Sequence, residues 1–155
     1  MEEFTRKVYH EWKIGRILSE DEYLKLVSDT HSRLVKEAKA GNILFYKDLE
    51  TFNELKERGF KGKALSVIIG QIVGACSEYE AERRRPLLSS IVRSMETGAP
   101  GLGFYGLPKV PSFLRKQNWE DKGIKPPEIV IRKRQEFWLS ELQRVLKFYK
   151  KHDPI

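Results

Sequence analysis

The stretch "KALSVIIGQIVGACSEYEAERRRP", Lys63 to Pro86, constrains the chain more than any other. Its apolar residues recur at helical spacing. Leu65, Ile68, Ile69, Ile72, Cys76 and Tyr79 fall along one face. A second face carries Ser66, Gly70, Gln71, Gly74 and Ser77, and no bulky group. Each glycine inside a helix costs about 1 kcal/mol relative to alanine. A helix that keeps both Gly70 and Gly74 has a use for close approach, either by a neighbouring helix or by a nucleic-acid backbone. Pro86 stops the helix at Arg85, because the residue before proline is pushed out of the helical region.

The rest of the chain has to cover this helix. Its 155 residues, 40% hydrophobic, suit one domain over 1–155. No apolar run reaches the ~18 residues of a membrane span. "MEEFTRKVYHEWK" is charged and amphipathic and lacks a signal peptide's apolar core. The expectation is a cytoplasmic protein with no membrane partner. A single cysteine, Cys76, excludes an intrachain disulfide and a cysteine-rich zinc site. His10, His31 and His152 stand far apart. No cofactor or metal is expected, with magnesium entering only if the chain is a nuclease.

Short elements flank the central helix. Phe4, Val8 and Trp12 space a first helix from Glu2 to about Ile14. Ser19 and Glu22 predict a capping box opening a second, which Gly41 and Asn42 close. "ILFY" (43–46) has strand propensity. Leu49, Phe52 and Leu55 resume helical spacing until Gly59. After Pro86, "PLLSSIV" reads as a strand with both faces mixed, to be covered on both sides, "ETGAPGLG" supplies a turn and "FYGL" a second strand, together a β-hairpin. A proline-rich loop follows from Leu107, then a long basic helix over about 127–151, with Pro127 in its first turn.

In order, the middle of the chain (about 42–107) reads strand, helix, turn, helix, hairpin, the order of a winged helix-turn-helix. The predicted class is α+β, mainly helical, with a winged-helix-like centre between flanking terminal helices. "ILFYKDLETFNELKERGFKGKALSVIIGQIVGA" followed by "PLLSSIVRS…GLGFYG" resembles the DNA-binding domain of alkyltransferase-like proteins, over roughly Asn42 to Gly106. That family's Pro-Cys-His-Arg segment is replaced here by Pro86, Leu87, Leu88 and Ser89. The resemblance therefore implies architecture and DNA binding, not alkyl transfer. The chain also resembles uncharacterised small prokaryotic proteins that join a Tyr-Glu helix end to Arg-Pro-Leu-Leu-Ser and a Gly-x-Pro-Gly-x-Gly-aromatic turn. Here these are Tyr79, Glu80, Arg85–Ser89, Gly98, Pro100, Gly101, Gly103 and Phe104. This second likeness implies no chemistry.

A net charge of +7 favours anionic partners, nucleic acid first and DNA above RNA. The expected interface has Lys61, Lys63, Arg83, Arg85, Arg93 and Lys109 on phosphates, with Ser66 and Gln71 on the small face of the helix. Tyr105, beside the turn, is expected to stack on bases, with Tyr46 and Trp119 as further candidates. One alternative is a magnesium-dependent nuclease using Glu78 and Glu80, although the strand carries no acid where such enzymes place one. The other is a protein-interaction module, a homodimer closed on the Gly70/Gly74 face.

Overall fold

The structure is a computed structural model that describes residues 1–151. It is mainly helical. The helices are α1 (Glu2–Glu11), α2 (Glu20–Lys39), α3 (Glu50–Glu57), α4 (Gly62–Glu82) and α5 (Glu128–Lys151). Strands β1 (Leu44–Phe45) and β2 (Val92–Arg93) form a two-stranded parallel sheet, with Leu44 opposite Val92 and Phe45 opposite Arg93.

The central position of α4 follows from its sequence. From Ile68 to Ser77 only Gly70 and Gln71 are not fully buried. Helices α1, α2 and α3 pack on it, and α5 closes the core by packing on α2 and on the segment after Pro86. Gly74 serves close packing. A Cβ there would lie 3.6 Å from the Trp12 ring and 3.7 Å from Leu107. The Gly70/Gly74 face is thus interrupted: Gly74 is inside, while a Cβ on Gly70 would meet nothing within 4 Å. Of the two glycines, Gly70 alone reaches the surface.

Helices α2, α3 and α4 end on the same device. After α2, Asn42 N–H donates to Glu37 (2.9 Å) and Gly41 N–H to Ala38 (3.1 Å), with Gly41 at φ 77°. After α3, Phe60 donates to Leu55 and Gly59 to Lys56, with Gly59 at φ 101°. After α4, Arg85 donates to Glu80 and Arg84 to Ala81, both at 3.0 Å. Each is a Schellman motif. In the third, the left-handed residue is Arg84, at φ 58°. The helix therefore stops at Glu82, and Pro86 follows the cap rather than causing the stop. At the start of α2, Ser19 accepts from the Glu22 N–H at 3.2 Å. The Glu22 carboxylate in turn accepts from the Ser19 hydroxyl at 2.8 Å.

The expected hairpin does not form. Leu88–Ile91 is a 3₁₀ turn, β2 pairs with β1 and not with 104–107, and Leu102–Gly106 is again 3₁₀. Leu87 through Val92 are all buried. Their backbone groups find partners on helices. Leu87 N–H donates to Glu141 Oε2 (2.9 Å), Ser89 N–H to Ser77 Oγ (2.7 Å), and the Trp138 indole donates to the Ser90 carbonyl (2.9 Å). A buried backbone supplied in this way needs no strand partner.

Candidate nucleic-acid interface

The cations named from the sequence fall into two groups. The first is engaged by partners within the protein. Arg85 lies at 3.2 Å from Glu80, which is fully buried and also takes His31 Nε2 at 2.6 Å. Burial alone would raise the Glu80 pKa. The His31 hydrogen bond and charge, with Arg85, carry it below the ordinary carboxylate value instead. Lys109 donates to the Arg85 carbonyl (3.3 Å) and stands 3.5 Å from buried Glu141, which Arg144 also holds. Arg93 lies over the Phe45 ring at 4.6 Å. Arg83 stacks on Tyr79 at 3.6 Å and donates to that residue's carbonyl. The Arg85 and Lys109 contacts tie the end of α4 to the segment after it and to α5, and the Arg93 contact joins β2 to β1.

Tyr105 is likewise internal. It is buried, its hydroxyl donates to the Arg134 carbonyl (3.4 Å), and burial pushes its pKa up to about 12. Tyr46 is half-buried, and its hydroxyl accepts from Gly101 N–H at 3.2 Å. Of the three aromatics, Trp119 alone is exposed. The nuclease pair does not converge on an open site either. The Glu80 carboxylate is inside and fully engaged. Glu78 is half-buried, and burial followed by the Glu82 charge raises its pKa. Among the described residues, no group of three or more His, Cys, Asp or Glu could hold a metal ion. No described helix is long and apolar enough to cross a membrane.

The second group is free. Lys61 and Lys63 are exposed at the start of α4, and no described ion pair or side-chain hydrogen bond engages them. Arg16, in the 3₁₀ turn Ile14–Arg16 after α1, is equally free and lines the same surface depression as Lys63. Lys13, just before that turn, is exposed and unpaired as well. Along α4, Lys63, Ser66, Val67 and Gly70 follow helical spacing and all reach the surface. Gln71 borders them. It is half-buried, and its Oε1 is shielded from solvent without a hydrogen-bond partner. The α3–α4 turn, Arg58 to Lys61, is short and contains Gly59.

Arg16, Ile17, Phe60 and Val67 were not singled out by sequence reasoning. No local pattern ties the turn after α1 to the start of α4; only the tertiary fold brings them together. The one available signal was exposed Val67 on an otherwise small, polar helix face. No protein-family model, curated protein or solved structure matches the chain.

Proposed function

We propose that this chain binds nucleic acid, DNA first, through the turn before α4 and the exposed amino-terminal half of that helix. The observation that carries the reading is that Arg16 and Lys63, neither with a described acidic partner, line one depression beside an exposed helix face, with Lys13 and Lys61, also without one, close to them in the chain. Cations without acidic partners are the ones left to displace counterions from phosphates. The amino-terminal residues of the second helix in a helix-turn-helix are also those that reach base edges. The wing of the winged-helix reading has no counterpart, so the interface contracts to α3, α4 and the turn after α1. Arg83, Arg85, Arg93, Tyr105 and Lys109 have structural roles in this reading.

The test is a salt titration of affinity for a labelled oligonucleotide. Four phosphate contacts predict a slope of about −3 to −4 in log K against log salt. A slope near zero, or no binding at low salt, overturns the proposal.

A further inference from the structure

The depression at the start of α4 has a chemistry that phosphate binding alone does not call for. It is open, holds about 560 Å³, and is lined by Arg16, Ile17, Phe60, Lys63, Ala64 and Val67. Its walls come from three places in the chain: the turn after α1, the α3–α4 turn and the first turns of α4. Four of the six residues are apolar. Ile17 and Val67 keep 39% and 43% of their surface in water, which is unfavourable for branched aliphatic side chains. Among the described residues the two cations have no partner, and no acidic residue lines the hollow. The volume falls within the ~300–1,000 Å³ usual for a small-molecule pocket.

A blunt duplex has no convex apolar part to fill such a hollow. Its bases are stacked, and it presents phosphate ridges and groove edges. An unstacked base does fit. It has an apolar face, can lie on an aromatic ring, and brings its own phosphates alongside. We infer that the depression receives an unpaired base, with Phe60, Ile17 and Val67 against the ring and Arg16 and Lys63 on its flanking phosphates. The preferred ligand is then nucleic acid with a single-stranded stretch. This inference rests on the reading of the chain as a nucleic-acid binder and names the substrate class.

The experiment measures anisotropy of three labelled DNA probes at one salt concentration: a single strand, a blunt duplex, and that duplex with an overhang. The expected result is binding about tenfold tighter to the single strand and the overhang than to the blunt duplex, one base stack being worth that or more. Val67→Ser, at an exposed position, should lower single-strand affinity severalfold and blunt-duplex affinity much less, so that the preference for the single strand disappears. Phe60→Leu should do the same, with its melting curve recorded because Phe60 also packs partly on the core. Lys63→Ala should weaken all three probes.

Equal affinity for the three probes, or a preference that survives Val67→Ser, overturns this inference while the broader reading stands. Absence of binding to every probe overturns both. Vesicles of phosphatidylcholine with phosphatidylserine form a further arm. Binding to them that Val67→Ser abolishes, without single-strand preference, would assign the hollow to a lipid and overturn the inference.

Discussion

Arg134 grips Glu120 with both terminal nitrogens, at 2.6 and 2.8 Å from the two carboxylate oxygens, and both residues are almost fully buried. Every other polar atom of the pair that could be orphaned is served. Arg134 Nε donates to the Leu114 carbonyl (2.8 Å), and Glu120 Oε2 accepts from Gln117 N–H (2.7 Å). The arginine also lies over the Tyr105 ring at 5.1 Å. One side chain of α5 thus fastens the proline-rich segment from Leu107 to Pro127, which has no regular element beyond 3₁₀ turns. Losing one partner leaves a buried charge uncompensated, at a cost of about 3–5 kcal/mol. Glu120→Gln should therefore lower chemical-denaturation stability by several kcal/mol. Replacing both residues with apolar ones of similar size should cost much less. A double variant as unstable as the single one would show that the pair is not a unit.

Arg84 offers a gain of stability. It occupies the left-handed position that glycine fills after α2 and α3, and a side chain there is strained by about 1 kcal/mol. It is exposed and makes no described side-chain contact. Arg84→Gly should raise stability by about 0.5–1 kcal/mol, less than the full strain because glycine also loosens the unfolded chain. A thermal melt of the two proteins decides it. A lower melting temperature for the glycine variant would mean the cap is not limiting.

How far the sequence could be read follows from which forces are local. The α4 core face, the Ser19 cap and the glycine stops after α2 and α3 were legible, because spacing and caps are written in neighbouring residues. The stop after α4 was attributed to Pro86, since an arginine in the left-handed region leaves no local mark. The strand at 87–92 was misread because its apolar pairs, Leu87–Leu88 and Ile91–Val92, suit a strand covered on both faces as well as they suit a buried turn. Its backbone is nonetheless supplied by Glu141, Ser77 and Trp138, residues remote in sequence or on other elements. The same remoteness hid the interface. Arg85, Arg93 and Lys109 look like free cations until Glu80, Phe45 and Glu141 are seen beside them. Arg16 looks irrelevant until the fold sets it across from Lys63.

Two of the buried carboxylates, Glu120 and Glu80, should make the fold sensitive to acid. Glu120 is held below the usual carboxylate pKa chiefly by the Arg134 hydrogen bonds, against some desolvation. In Glu80, desolvation is the largest single influence and is outweighed by His31 and Arg85 together. With folded values below unfolded ones, the unfolded chain binds protons first as pH falls. Stability from both groups is complete above the ordinary carboxylate value of about 4–4.5 and is lost as pH drops through the lower folded values. Stability measured from pH 6 downward should stay nearly flat as far as these two groups go, then fall steeply below about 4.5. Glu80→Gln and Glu120→Gln should each flatten that fall while lowering the plateau. An unchanged slope in either variant would remove that residue from the account.

The division of the basic residues into free and engaged makes the sharpest functional prediction. Lys61 and Lys63 are solvent-facing and unpaired, so a Lys61→Ala/Lys63→Ala protein should melt like the parent. Its affinity for DNA should fall, and its salt slope should shrink by about 1.8, close to 0.9 for each phosphate contact removed. Arg85 is held by Glu80, which has no other route to neutralisation than His31. Arg85→Gln should therefore lower the melting temperature and leave the salt slope where it was. Arg93→Gln, which removes the cation from the Phe45 ring, should behave in the same way but more mildly, since such contacts are worth about 0.5–2 kcal/mol. The two classes are told apart by running melting and salt titration on the same four proteins. If Arg85→Gln moved the slope and the lysine pair did not, the interface would lie at the carboxyl-terminal end of α4, and its charges would reach the ligand in spite of their internal partners.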